Sequence, residues 1–309
     1  MKAVRFHEVG GPEVLQYGEV EQPNPGAGQV RLRVAASAFS AADNGMRAGF
    51  LPIPLTLPHI PGYDVSGTVD AVGEGVTGFA IGDPVIGFLP MGEDGGAAEY
   101  AIAPADALVS APTGVPLADA AAFPSVALTA RQALFDDGDL QADQRVLIVG
   151  AGGVVGKYAI ALAARAGAHV IATASPRSAD AVRAAGAHEI IDHTDTSVLD
   201  AVSEPVDMLL NLAPIEPEEF TNLVALVRDG GVVVSTTAWM PAPDDADRNV
   251  RSVVVFVRSD AARLAELVGL VDSGEMHLEV TRRIPLVELP VLHAEAAAGR
   301  IAGKVIVVP

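Results

Sequence analysis

The stretch Val146-Leu147-Ile148-Val149-Gly150-Ala151-Gly152-Gly153-Val154-Val155-Gly156-Lys157-Tyr158-Ala159-Ile160-Ala161-Leu162-Ala163 decides the fold. Its first four residues are apolar without alternation, as in a strand buried on both faces. Glycines then allow a tight turn, and an alanine-rich helical segment follows. Strand, glycine turn and helix in this order make an anion site. The missing side chains let the backbone approach a pyrophosphate, and the helix N-terminus presents unbonded N–H groups with partial positive charge. The spacing is Gly150-x-x-Gly153-x-x-Gly156. Read from Gly150, the G-x-G-x-x-G fingerprint would put its third glycine at Val155, so it fails by one residue. A tight βα turn without a ligand looks the same locally; the strand before it, the helix after it and a second strand at the expected distance favour a dinucleotide. Gly150, Gly152, Gly153, Val154 and Val155 are therefore the candidate phosphate-binding residues.

Working outward, apolar strand candidates recur at 146–149, 169–173, 190–191, 208–212 and 232–235, with helices expected at 158–166, 179–185 and 220–227. This alternation predicts a doubly wound parallel α/β sheet of the Rossmann type. The segment 117–134 is alanine-rich and helical, interrupted at Pro124, and 261–271 reads as a further helix. Residues 1 to about 112 differ: short alternating runs such as 29–35 are punctuated by glycine and proline, which predicts a mostly antiparallel β domain. The last strand, 303–308, is able to return to that domain. The expected division is 1–115, completed by about 255–309, around a Rossmann domain at 116–254.

The second strand of such a domain usually ends in an acid that holds a ribose 2′-hydroxyl. Here it ends Ala172-Thr173-Ala174-Ser175-Pro176-Arg177-Ser178, with no acidic residue from Gly150 until Asp180. A carboxylate would repel a 2′-phosphate, whereas Arg177 offers a planar donor fork and Ser175 and Ser178 offer hydroxyls. The expected cofactor is NADPH. Arg177 also reads as an ordinary surface arginine.

Bulk properties exclude other classes. The chain has 309 residues, half of them hydrophobic, and a formal charge of −19, so nucleic acid and anionic membranes are poor partners. It has no cysteine, which removes disulfides, thiolate nucleophiles and thiolate metal ligands. With no apolar signal core and no apolar run near 18 residues, a cytoplasmic location is expected.

Ordered along the chain, Pro61-Gly62-Tyr63-Asp64-Val65-Ser66-Gly67, Val72-Gly73-Glu74-Gly75-Val76, Gly82-Asp83-Pro84-Val85, Ala97-Ala98-Glu99-Tyr100, Leu128-Thr129-Ala130, the turn at 150–156, Val206-Asp207 and Gly230-Gly231 form a specific series. It resembles the zinc-free quinone oxidoreductase branch of the medium-chain dehydrogenase/reductase superfamily, over nearly the whole chain. The resemblance implies a GroES-like first domain completed by the C-terminal tail, and a Rossmann domain. It also implies hydride transfer from NADPH to a small hydrophobic substrate, a quinone or an α,β-unsaturated carbonyl, often in a homodimer. Zinc members of the superfamily carry a first-domain cysteine and a histidine where Tyr63 stands here, so no metal is expected; His59 and Asp64 alone fall short of three converging ligands.

Hydride transfer asks the protein for alignment, a dry site and a donor to a developing enolate. Tyr63, Ser40 and Asp43 are the catalytic candidates, with Asn44 beside them as a further polar group. Each has a structural alternative: Tyr63 as a packed aromatic, Asp43 as a turn cap, Ser40 bonded to its own backbone. The family usually has Asn at the place of Ser40 and often Tyr at the place of Gly45, so this site departs from the pattern. Thr129 matches a family position near the nicotinamide, or bonds back along its helix. His193 stands where relatives often carry a tyrosine beside the adenosine phosphate, or is a surface histidine. Asn211, within the 208–212 strand, joins the cofactor candidates. Phe50, Leu51 and Trp239 are the substrate-pocket candidates, with loop or core packing as the alternative. Two other functions on this fold stay open: a non-redox NADPH-binding enzyme (a cyclase or lyase) and a cofactor-binding protein.

Overall fold

The computed structural model describes residues 1–237, 240 and 242–309. Its first strands are β1 (Lys2–Arg5), β2 (Gln16–Glu19), β3 (Gln29–Ala38), β4 (Asp64–Val72), β5 (Pro84–Phe88), β6 (Tyr100–Pro104) and β7 (Leu108–Ser110). There follow β8 (Arg145–Val149), β9 (His169–Ala174), β10 (Glu189–Asp192), β11 (Val206–Asn211), β12 (Val227–Ser235), β13 (Arg251–Val254), β14 (Arg282–Pro285) and β15 (Val305–Val308). The helices are α1 (Ala41–Ala48), α2 (Leu117–Ala120), α3 (Pro124–Arg131), α4 (Val154–Arg165), α5 (Ala179–Ala184), α6 (Val198–Ala201), α7 (Pro217–Leu223), α8 (Ala261–Asp272) and α9 (Leu289–Ala297). The chain divides into one unit of Met1–Ser125 with Ser259–Pro309 and another of Val126–Arg258.

In the second unit six parallel strands lie in the order β10-β9-β8-β11-β12-β13. Counted from β8, that is the doubly wound order in which the chain changes direction between β8 and β11, and ligands of such sheets lie outside the strand carboxyl ends at that point. Val146, Leu147, Ile148, Leu209, Val233 and Val234 are wholly buried, as strands covered on both faces require. Phe220 and Leu223 of α7 join Leu147, Ile171, Leu209 and Val233 in one core cluster.

Three boundaries differ from the sequence pattern, each for a physical reason. Helix α4 starts at Val154 rather than 158. Its first residues, valine and glycine, are weak helix formers held by tertiary packing. Pro124 opens α3 instead of breaking a longer helix, a role its missing N–H and fixed φ suit. The expected helix 220–227 is shifted forward: Pro217 starts α7, and Val227 already belongs to β12. Strand β13 was not legible because it is only partly buried and lacks a clear period; pairing of Arg251–Val254 with Val232–Ser235 makes it a strand.

The first unit is built on a seven-stranded sheet in the order β14-β15-β3-β4-β5-β7, with β6 also on β3, and the separate hairpin β1-β2. β3 buries Val30, Leu32 and Val34 at alternate positions, the mark of a sheet with one core face. The end of the chain completes this sheet: Ile306 lies opposite Ala38 and Val307 opposite Ser37. Helix α1 was hidden in a region read as strands, and α9 lies in a stretch whose pattern was not read. Arg47 and Asn44 of α1 meet His293 of α9, with Arg47 Nε 3.4 Å and Asn44 Oδ1 2.8 Å from His293 Nδ1.

A buried ion pair anchors the tail. Lys304 Nζ donates to Asp64 Oδ2 at 2.8 Å, and Ser125 donates its backbone N–H to Oδ1 and its hydroxyl to Oδ2, each at 2.6 Å. Both charged side chains are buried. Such a pair adds modest net stability, but losing one partner strands the other charge away from water. Lys304→Met is therefore expected to lower unfolding free energy by about 3–5 kcal/mol in a denaturant titration, and adding Asp64→Asn to recover part of that loss.

Candidate functional site

At the end of β8 the chain turns on Gly150, which has φ +79, a left-handed conformation open to glycine and strained for other residues. Its N–H donates to Thr173 Oγ1 of β9 at 3.0 Å, and the Gly153 N–H donates back to Gly150 O at 3.0 Å. Gly153 is the N-cap of α4 and supplies no side-chain cap. The first helical N–H groups, those of Val154 and Val155, have no carbonyl within the helix to bond. An uncapped helix start, preceded by glycines, is an anion site waiting for an acceptor.

The irregular glycine spacing has an explanation in the packing. A Cβ on Gly156 would stand 2.2 Å from Ala151 O, so Gly156 is the residue that lets the helix close on the turn. Val155, at the fingerprint's third-glycine place, is half-buried and has room for its side chain. A Cβ on Gly152 would stand 2.4 Å from Ser178 Oγ, which places the turn after β9 directly against the glycine turn.

That second turn is self-bonded. Ser178 N–H donates to Ser175 O at 2.9 Å, Ser175 N–H to Ser178 Oγ at 3.2 Å, and Ser178 Oγ to Ser175 O at 3.2 Å. Ser178 is thus a turn former that supports Gly152. Arg177, at the tip, is exposed and makes no ion pair among the described residues. His193 is exposed at the end of β10, its N–H donating to Ala174 O at 3.2 Å, so its backbone borders the same strand end. Beside it, Asp192 holds the Thr194 hydroxyl at 2.6 Å, and bonds from the Thr194 side chain and backbone hold this carboxyl below its usual range.

Asn211 is 0% exposed. Its Oδ1 accepts the Ala213 N–H at 3.3 Å and its Nδ2 has no partner among the described residues. It ends β11 and holds the following turn through its Oδ1. Thr129 sits half-buried on α3. Ile215, Phe220, Met240 and Pro243 help line an open cavity of about 490 Å³ beyond β11 and β12, which sequence patterning did not single out. Trp239 lies outside the described residues.

The catalytic candidates of the first unit are held by local bonds. Ser40 is the N-cap of α1 and forms a capping box with Asp43. Asp43 Oδ2 accepts from Ser40 N at 2.8 Å and Ser40 Oγ at 3.0 Å, while Oδ1 accepts from Gly62 N at 2.9 Å. Burial pushes the Asp43 carboxyl up to about 6, against the pull of the Ser40 and Gly62 donors. The pattern Ser40-x-x-Asp43 is a helix-start signal of the capping-box kind, the one signal in the sequence from which α1 was readable though it was not read. Tyr63 is 1% exposed, and its hydroxyl oxygen is 2.8 Å from His59 Nε2. Burial raises the Tyr63 pKa and lowers that of His59. Neither Tyr63 nor Ser40 therefore presents an unbonded hydroxyl. Phe50 is 83% exposed, and Leu51 covers Gly45, where a Cβ would stand 3.1 Å from Leu51 Cγ.

Residues 26–113 match the family model of the alcohol dehydrogenase GroES-like domain, and residues 185–307 that of zinc-binding dehydrogenase. The chain is 31% identical to the chloroplast envelope quinone oxidoreductase homolog of Arabidopsis thaliana, covering 100% of this chain and 98% of that protein. It is 29% identical to the quinone oxidoreductase of Pseudomonas aeruginosa, over 100% of this chain and 99% of that one. The solved quinone oxidoreductase of Coxiella burnetii superposes with a TM-score of 0.90 at 28% identity, covering 100% of this chain and 99% of that one. A mycobacterial structure complexed with NADPH has a TM-score of 0.86 at 26% identity, with full coverage of both chains. The chain belongs to the medium-chain dehydrogenase/reductase superfamily, in its quinone oxidoreductase branch. It is an oxidoreductase of that fold, a class that works with a nicotinamide cofactor.

The zinc of the second family model's description does not fit these residues. The chain has no cysteine, His59 is engaged by Tyr63, and Asp64 is engaged by Lys304 and Ser125. Among the described residues no group of three His, Asp or Glu is placed to hold a metal ion. Nor is any described helix long and apolar enough to cross a membrane.

The Asp43 carboxyl sets a pH dependence. Its folded pKa of about 6 lies above the usual aspartate value, so the folded state binds the extra proton between roughly pH 4 and 6. Its contribution is fully present below pH 4 and is lost as pH rises through 6. Chemical unfolding of the protein and of Asp43→Asn across this window should show a wild-type advantage that shrinks with rising pH, on the order of 3 kcal/mol in all.

Proposed function

We propose that this protein is a zinc-independent, NADPH-dependent reductase of quinones or α,β-unsaturated carbonyl compounds. One observation carries the cofactor reading: the turn bearing Arg177 packs against the glycine turn through Ser178 and Gly152, beside an uncapped helix start. A dinucleotide pyrophosphate on the N–H groups of Gly152, Gly153, Val154 and Val155 would leave its adenosine side toward the β9 turn. Arg177 is then the cation for the 2′-phosphate, with Ser175 beside it and His193 on the neighbouring strand end. No carboxylate stands between Gly150 and Asp180 to repel that phosphate. Thr129 is assigned to the nicotinamide side, as the family resemblance implies.

When bound, NADPH supplies the hydride that reduces a quinone or the β-carbon of an enone. Because Ser40, Asp43 and Tyr63 are bonded within the first unit, we assign the accompanying proton to water. The exposed Phe50 beside Leu51 suits a hydrophobic substrate. Names of the relatives point the same way, toward quinones.

The reading is tested by following NADPH oxidation against p-benzoquinone and a panel of enones, with nucleotide affinities measured by calorimetry. The expected result is turnover with at least one acceptor and at least about tenfold tighter binding of NADPH than NADH. Arg177→Ala should weaken NADPH by about tenfold or more and leave NADH within about twofold. Equal affinities of the wild type for the two nucleotides would sink the NADPH assignment.

A further inference from the structure

We propose that Thr173 is a positioning residue for the dinucleotide turn, an inference that rests on the nicotinamide-cofactor reading above. Thr173 touches no ligand surface: it is 2% exposed, on a strand buried from Val170 to Ala174. Its hydroxyl oxygen accepts the Gly150 N–H at 3.0 Å. That contact falls where the sheet stops helping the chain. The pairing of β8 with β9 ends at Ile148 opposite Ala172, so Thr173 is the first β9 residue beyond the ladder and Gly150 the second β8 residue beyond it.

Gly150 is gripped from its other side as well. Asn211 Oδ1 holds the Ala213 N–H at 3.3 Å, and Ala213 Cβ is 2.8 Å from where a Gly150 side chain would begin. The left-handed peptide at 149–150 is therefore fixed between two strands. On the β11 side the Leu212 N–H donates to Val149 O at 2.9 Å and Ala213 crowds Gly150; on the β9 side the grip is one hydrogen bond from one side chain.

Valine has the shape of threonine without the acceptor. With Thr173→Val the part-buried Gly150 N–H loses its protein partner, a condition backbones avoid. Rotation of the 149–150 peptide relieves it at the expense of the Leu212 N–H bond to Val149 O, and that rotation tilts the turn whose amides face the pyrophosphate. Serine keeps the acceptor and loses only a methyl. The hydroxyl, not the bulk, is the functional part.

Calorimetric titration of NADPH into the wild type, Thr173→Val and Thr173→Ser reads this directly, with melting temperatures of the unliganded proteins alongside. The valine variant should raise Kd about tenfold, the cost of one net hydrogen bond, while serine stays within about threefold of wild type. A valine variant that binds within about twofold of wild type overturns the proposal, as does a serine variant as weak as valine. A lowered melting temperature with unchanged Kd also overturns it, since that is a purely structural role. Should valine fail to fold by circular dichroism, Thr173→Ala replaces it, and alanine binding as tightly as serine overturns the proposal. A wild type that binds neither NADPH nor NADH removes the cofactor reading itself; a wild type that binds beside an indifferent variant removes only the role of Thr173.

Discussion

The left-handed turn at Gly150 is the constraint on which the second unit depends. A buried parallel strand must hand over to a helix that packs back on its own sheet, and here it does so within four residues. Glycine alone takes φ +79 without strain, and the close approach at Gly156 then seats α4 on the turn. The same turn opens at the point where the order β10-β9-β8-β11-β12-β13 reverses direction. Geometry of the crossover and chemistry of the anion site are one feature, because the unbonded amides that a helix start leaves behind are the groups a pyrophosphate needs.

The first unit handles its polar groups differently. Asp64, Lys304 and Ser125 satisfy one another in the interior, Ser40 and Asp43 start a helix, and Tyr63 meets His59. Side chains that look reactive in a sequence are used here to hold backbone in place. This is consistent with a cofactor that carries the difficult chemistry, leaving alignment and exclusion of water to the protein.

Charge adds a second layer. A chain with a formal charge of −19 repels anions at long range, so an anionic cofactor must be drawn in by local features. The amide-rich turn and the exposed Arg177 next to it supply such a feature over a short distance, where screening by salt is weakest. The absence of acids along 150–179 matters as much as the presence of the arginine.

Much of the fold was legible in the residues themselves. Unbroken apolar strands, alternating with helices, determine a parallel sheet because only helices on both faces bury them, and the glycine-rich turn after β8 marks the anion site. Missing cysteines exclude a thiolate zinc site outright. What the sequence did not determine depends on contacts between residues distant along the chain. β13 is a strand only through its partner β12, and α1 emerged from a region of strand-like composition. That the Ser178 hydroxyl closes its own turn, that Asn211 is wholly buried and that the Thr173 hydroxyl meets Gly150 were not readable from the residues alone. Periodicity and composition report how each segment meets water, whereas a hydrogen bond's partner is decided only when the segments are brought together.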